Sequence, residues 1–235
     1  MLKRTLEPEV MDTADDAREY DAMDHAAVNA VFVDDLLAAM SDWSQGGWGR
    51  ASASPQQRVL HILDLGAGTA QIPIELARRA PDVHITAVDA AASMLALARM
   101  NIDAARLDDR IQFTLADAKR LPFESASFPV VISNSIVHHL PEPRAAIAEA
   151  IRVTAPGGLL FHRDLARPSD EPALQILVST YAAESTPYQR NLFADSLRAA
   201  LTFEEMADLV ASFGFDRDTV HMTSDRHWTW IATKK

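Results

Sequence analysis

Three features of the sequence predict an α/β fold built on a mainly parallel sheet. Short apolar runs at 59–63, 83–88, 111–115, 130–133 and 158–162 alternate with stretches of helical spacing at 70–80, 91–105 and 142–153. Strand and helix in regular alternation put helices on both faces of a parallel sheet. The first run ends in a glycine turn that opens directly into a helical pattern, ILDLGAGTAQIPIEL at 62–76. The rhythm then changes: 171–213 reads as helical with breaks near Pro187 and Thr202. Residues 219–224 and 227–233 read as two strands joined by a tight turn around Asp225 and Arg226. An antiparallel pair at the edge of a parallel sheet is a permitted ending.

Ahead of the first strand, residues 13–40 carry apolar side chains at near-helical spacing, among them Tyr20, Met23, Ala27, Val31 and Leu37. They predict one or two amphipathic helices, opened by Thr13 and Asp16 as a variant capping box. A Gly- and Ser-rich linker follows. The expected organisation is a helical extension and linker over 1–57 and a main domain over 58–235, with 166–200 inserted after the fifth strand.

Of the 235 residues 48% are hydrophobic, enough for a substantial core, and no apolar run approaches the roughly 18 residues that span a bilayer. The amino-terminal stretch lacks the apolar segment of a secretory signal. There is no cysteine, which excludes disulfides, thiolate metal sites and a cysteine nucleophile and is compatible with a cytoplasmic location. Lys and Arg number 22 against 33 Asp and Glu, a net charge of −11. Neutralising phosphates needs the opposite balance, so a small molecule is the expected partner, with no nucleic acid and no membrane. Nothing in the sequence sets the oligomeric state.

A strand-to-helix glycine turn presents backbone N–H groups and the positive end of a helix to a ligand. A dinucleotide fingerprint would place a third glycine where this chain has Gln71, and a phosphate loop would need a lysine that is absent. What remains is D-x-G-x-G-x-A, running from Asp64 through Gly66, Ala67 and Gly68 to Ala70. Two further strands end in acids, Asp89 about 20 residues beyond Gly68 and Asp117. All three lie at the carboxyl edge, where open α/β sheets bind ligands. A carboxylate at Asp89 can accept from both hydroxyls of a ribose. Each aspartate could equally be a helix cap or a solvated strand end.

The turn resembles the first motif of class I S-adenosylmethionine-dependent methyltransferases, with Ala70 in place of the usual last glycine. Asp89 followed by Met94-Leu95, the LPF segment at 121–123 leading into SFPVV at 127–131, His138-His139-Leu140, and the PGG turn at 156–158 extend the likeness over roughly 59–165. The histidine element is similar to that of the ubiquinone/menaquinone-biosynthesis type. The resemblance implies a Rossmann-like seven-stranded sheet, mostly parallel with an antiparallel terminal strand, under an N-terminal helical lid. It implies S-adenosylmethionine as cofactor, S-adenosylhomocysteine as product and a small-molecule methyl acceptor. The turn would take the methionine moiety, Asp89 the ribose, and Asp117 with the Ala118 amide the adenine. Ala90, Met94 and Asn134 complete the implied cofactor contacts.

Methyl transfer is an in-line displacement, and a base is needed only if the acceptor must lose a proton. His138 and His139 are candidates for that base; packing or helix-start capping is the competing role. Tyr20, Asp24 and His25, about one helical turn apart, are expected on one face of the lid. Arg163 and Asp164 face the same rim, as a structural pair or as contacts for a charged acceptor. Arg226 and His227 lie nearby in sequence to the Trp228–Trp230 strand, whose tryptophans packing accounts for. Acceptor selection is expected from 13–40, 134–141 and the insertion with Tyr181, Tyr188 and Phe193. No metal is expected, since the fourth strand ends in Ser133-Asn134 and only Asp164 offers a carboxylate. The rival readings are a nicotinamide-dependent oxidoreductase, a protein that binds the cofactor without transferring methyl, and a macromolecular acceptor.

Overall fold

The structure of the protein, a computed structural model, describes residues 2–10, 12–23, 25–45 and 59–235. The expected linker falls largely on 46–58, outside the described residues, as do Asp24 and the side chain of Asp16. The amino-terminal segment forms α1 (Ala14–Asp21) and α2 (Ala26–Gln45). Then come β1 (Leu60–Leu65), α3 (Gln71–Arg79), β2 (Val83–Asp89), α4 (Ala92–Ala105), β3 (Ile111–Leu115), β4 (Phe128–Asn134), α5 (Arg144–Val153) and β5 (Thr154–Leu165). The chain ends with α6 (Glu171–Tyr181), α7 (Pro187–Ala199), α8 (Phe203–Ala211), β6 (Val220–Met222) and β7 (His227–Thr233). None of the described helices is long and apolar enough to cross a membrane.

The seven strands are ordered β3-β2-β1-β4-β5-β7-β6. β1 pairs in parallel with β2 and with β4, and β2 with β3, whereas β6 and β7 are antiparallel, with Val220 opposite Trp230. From β1 the chain steps outward to β2 and β3, then returns to place β4 on the other side of β1. The strand order therefore reverses between β1 and β4, and a cleft opens at their carboxyl ends. Asp64, the glycine turn and Asn134 sit there because of this topology.

The chain divides into two compact units. One comprises Val10–Asn134, Ala145–Phe161 and Ile231–Lys235; the other comprises Met1–Glu9, Ser135–Arg144 and His162–Trp230. In the first, Phe32, Val33 and Leu36 of α2 join Ile72, Ile74 and Leu76 of α3 and the strand side chains Ile62, Ile85, Val130 and Phe161 in one core. Phe32 meets Phe161 edge to face at 5.2 Å between centroids, an arrangement the ring quadrupoles favour. The PGG turn belongs to this unit and explains its own sequence. A Cβ on Gly158 would lie 2.7 Å from the Pro129 carbonyl oxygen and 2.9 Å from that of Ala155. Backbone cannot step aside for it. Gly158→Ala is expected to destabilise by about 1–3 kcal/mol in chemical denaturation, as overpacking does.

In the second unit the helix breaks have local causes. Asp170 caps α6 by accepting from the Ala173 amide. Thr186 with Gln189 and Thr202 with Glu205 form capping boxes that start α7 and α8, satisfying amides a helix start leaves unpaired. Trp228 and Trp230 of β7 are fully buried.

Candidate functional site

The turn after β1 is held in a left-handed backbone at alternate positions: Gly66, Gly68 and Ala70 have φ of 73°, 54° and 66°. The amides of Gly66 and Ala67 donate to the Val88 carbonyl at 2.8 and 2.9 Å, which clamps the turn onto β2. Glycine adopts this conformation freely, whereas an alanine carries a cost of roughly 1–2 kcal/mol. Ala70 is nevertheless fully buried within the core. Its side chain belongs to the core cluster with Ile72, Ile74 and Phe32.

Asp89 fixes the turn from the side. Its Oδ2 accepts from the Gly68 amide and its Oδ1 from the Ala91 amide, both at 2.8 Å. A carboxylate offers about four lone-pair sites, so it can hold these amides and accept from ligand hydroxyls as well. Asp64, at the end of β1, is 2% exposed. Burial pushes its carboxyl well above the usual range, and the negative charge of Asp89 adds to the effect. The phenol of Tyr20 is pushed up to about 12, by burial first and then by Asp89, Asp64 and Asp21.

These groups surround a cavity of about 20 Å³ lined by Tyr20, Asn29, Asp64, Gly66, Ala67, Thr69, Gln71, Ile72 and Asn134. Two neighbouring carboxyls, a phenol and amide groups suit a cation, while a phosphate would meet repulsion. Of the residues expected at a cofactor, Asp64, Gly66, Ala67 and Asn134 are on the wall, and Gly68 and Asp89 brace it. Ala90 is exposed. Met94 packs with Ala17, Ala91 and Tyr20. Asp117 is turned aside: its Oδ1 accepts from the Lys119 amide at 2.8 Å and its Oδ2 lies 3.2 Å from Lys119 Nζ. The buried Ala118 is beside it and off the cavity wall.

The amino-terminal helices close over this cavity. A Cβ on Gly68 would stand 3.6 Å from Tyr20 Cε1. Asn29 donates to Gln71 at 3.1 Å, and Asn101 reaches both Asp21 Oδ1 and the Thr69 carbonyl at 3.0 Å. Asp12 accepts from the Ser93 amide and hydroxyl, which holds its carboxyl below the usual range. Sequence reasoning misses Asn29, Gln71 and Asn101. Gln71 is legible only as an absent glycine, and the others depend on which face of each helix turns inward. The shared helical face expected for Tyr20 and His25 is corrected. α1 ends at Asp21 in a tightened turn, Met23 N–H bonding the Tyr20 carbonyl, and α2 starts at Ala26. The two rings meet across that break, 4.9 Å apart.

The remaining candidates lie in the other unit. His138, in the 3-10 turn Val137–His139, is 2.5 Å through Nδ1 from Asp164 Oδ1. Burial opposes the charged imidazole, but the Asp164 charge and hydrogen bond prevail and raise it. Asp164 also accepts from the Val137, His138 and Leu165 amides. Its neighbour Arg163 donates through Nε to the Thr229 hydroxyl at 2.8 Å. Arg226 stacks on Tyr181, 3.3 Å from its ring centroid, and Tyr181 donates to Asp225. His227 is lowered to about 4, by burial and then by Arg226 and Arg163. Tyr188 is exposed and Phe193 packs on the core formed by α6 and α7.

Residues 62–158 match a family described as a methyltransferase domain. The chain is 30% identical over 207 residues to the demethylmenaquinone methyltransferase of Deinococcus radiodurans, covering 80% of this chain and 82% of that protein. It is 29% identical over 187 residues to a ubiquinone/menaquinone biosynthesis C-methyltransferase of Cereibacter sphaeroides, covering 75% and 70%. Its fold is similar to that of the plantazolicin methyltransferase BpumL in complex with S-adenosylhomocysteine, at 14% identity, TM-score 0.63, and 93% and 94% coverage. With the reversal of strand order, the glycine turn and the acidic cleft in place, these likenesses have one reading: the chain belongs to the class I S-adenosylmethionine-dependent methyltransferases, in the group of ubiquinone/menaquinone-biosynthesis type.

Proposed function

We propose that this methyltransferase alkylates a small-molecule acceptor, with the cofactor seated at the β1–β4 cleft. The observation that carries the seating is the cavity walled by Asp64, Tyr20, Asn134 and the glycine turn, whose charge suits a sulfonium and an ammonium. When bound, S-adenosylmethionine supplies a methyl group made electrophilic by a positive sulfur. Asp64 and the turn hold the methionine portion, and Asp89 accepts from the ribose hydroxyls. Asp117 and Ala118 would take the adenine once Lys119 releases the carboxylate. The cavity is of one-water size, so Tyr20 and α1 must swing away for entry and return to exclude water from the transfer. Alignment of acceptor, methyl and sulfur then supplies much of the rate, about 7–11 kcal/mol for a well-oriented pair.

The acidic chain and the small quinone-type molecules named for its relatives support a small acceptor over RNA. Its lack of cysteine is in keeping with a cytoplasmic enzyme. For His138 or His139 to act as a base, Glu7 has to withdraw, because it faces the ring nitrogens of both. The test is calorimetric titration of the pure protein with S-adenosylhomocysteine, followed by turnover with labelled methyl donor over a panel of reduced quinols, phenols and amines. Heat with the nucleoside and label in a low-molecular-weight product are expected. Binding of NADH in its place, or label found only in RNA, would overturn the proposal.

A further inference from the structure

Outside the cofactor cleft lies a second cluster of buried ionisable groups, around Glu7, His138 and His139. Residues 2–9 run as a strap along their own unit. The Leu2 amide donates to the Ser169 carbonyl at 2.7 Å and the Thr5 amide to that of Arg198 at 3.1 Å. Arg4 spreads its guanidinium over the carbonyls of Ala199, Leu140 and Pro141 at 2.6, 2.8 and 3.2 Å. This anchoring delivers Glu7 to the two histidines. Its Oε1 lies 3.4 Å from His138 Nε2 and 3.1 Å from His139 Nδ1, and all three atoms fall within 4.8 Å of one another.

The approach is close. Burial opposes the Glu7 carboxylate, but the contact with His139 and the charges of both histidines hold its carboxyl below the usual range. No well-formed hydrogen bond closes the group. Glu7 Oε1 and His139 Nδ1 are shut away from solvent without a hydrogen-bond partner, on side chains 10% and 22% exposed. Buried polar atoms are rarely left so. Converging lone pairs are what a metal ion requires. Ligands about 2.0–2.1 Å from a tetrahedral zinc stand roughly 3.3–3.4 Å apart, close to the two separations found. The outer contacts agree. His138 Nδ1 donates to Asp164 Oδ1, so that Nε2 is the nitrogen facing Glu7, and a metal binding there displaces its proton. A carboxylate behind a metal-bound histidine is the usual means of orienting the ring. Asp164 is itself held by three backbone amides.

We infer that Glu7 Oε1, His138 Nε2 and His139 Nδ1 form a binding site for a divalent transition metal, zinc by preference, that pins the amino-terminal strap to the 137–139 turn. Two imidazoles and one carboxylate suit zinc better than magnesium or calcium, which favour all-oxygen shells. Two carboxylates, Glu7 and Asp164, outweigh the Arg4 cation nearby. Asp164 orients a ligand and is not one itself. This departs from the expectation that the protein binds no metal, which rests on carboxylates after the fourth and fifth strands and not on the histidine pair with a distant glutamate. It does not depend on the identity of the methyl acceptor.

The test uses the full chain without a histidine tag, stripped with chelator, loaded with zinc sulfate and desalted. Elemental analysis is expected to give one zinc per chain, and melting is expected to rise with added zinc. Cobalt loading is expected to give a tetrahedral visible spectrum with no thiolate band. His139→Ala and Glu7→Gln, the latter preserving shape, are expected to lose the bound metal while remaining folded by circular dichroism. His61 and His84 stand side by side near the surface, rings 5.7 Å apart, and are the competing site; His61→Ala is expected to keep the zinc. Absence of zinc after loading would overturn the inference. So would retention of metal by both His139→Ala and Glu7→Gln, or its loss from His61→Ala.

Discussion

Replacing Asp89 with alanine is expected to lower affinity for S-adenosylhomocysteine on the order of 100-fold or more, with the fold intact. The carboxylate has two tasks in one place. It receives the Gly68 and Ala91 amides at 2.8 Å, and it stands at the cleft where a ribose is proposed to lie. Hydrogen bonds to a charged group contribute about 1.5–3 kcal/mol each, and each 1.4 kcal/mol is a factor of ten in affinity. Losing the sugar contacts alone accounts for the expected drop. Losing the brace on Gly68 adds to it by loosening the turn. Asp89→Asn separates the two tasks. Its side-chain oxygen retains one backbone bond while its amide group cannot accept, so an intermediate loss of roughly tenfold is expected. Calorimetry reads the affinities, and thermal melting of the ligand-free variants shows whether the turn has come apart. Unchanged affinity in Asp89→Ala would remove the basis for the proposed seating of the cofactor.

Asp89 is legible in the sequence because strand periodicity locates strand ends, and strand ends in an α/β sheet share one rim. The same logic finds Asp64, the glycine turn and the order of the elements. It also finds the terminal antiparallel pair, since β6 and β7 are bounded by a turn with its own polar signature. Long-range side-chain partners are beyond it. Asp117, expected at the end of the third strand, lies two residues beyond β3, and its carboxylate bonds to Lys119, two residues further on. A local hydrogen bond of this kind needs no tertiary contact and competes with any ligand. Glu7 is invisible for the opposite reason. It lies more than 130 residues from His138 in sequence, and no periodicity links an extended strap to a turn so distant. Ala70 shows a third limit. Read as a glycine lost from a motif, it is a residue held at positive φ whose side chain belongs to the core.

Asp64→Asn is expected to do two opposite things, stabilising the ligand-free protein at neutral pH and abolishing its response to the cofactor. The carboxyl is 2% exposed, and burial and Asp89 raise its pKa well above 3.8. An acid whose folded pKa exceeds its unfolded value keeps its proton in the native state after the unfolded chain has released it. Stability is then highest below about pH 3.8 and falls as pH rises toward the folded pKa, by about 1.4 kcal/mol for each unit of displacement. Asparagine has nearly the same shape and no proton to lose. The variant should therefore melt close to the wild type at the acid end and above it at neutral pH, the gap widening from about pH 3.8 toward the folded pKa. A cationic ligand reverses the balance in the wild type, because a sulfonium or ammonium beside Asp64 favours the carboxylate. Binding should accordingly release protons at pH below the folded pKa of Asp64, and the gain in melting temperature should grow as pH rises toward it. Asp64→Asn should show neither effect. Calorimetry in buffers of different ionisation heat counts the protons directly. Equal proton release by wild type and variant would mean that Asp64 does not meet the positive charge, and the acidic wall of the cleft would need another purpose.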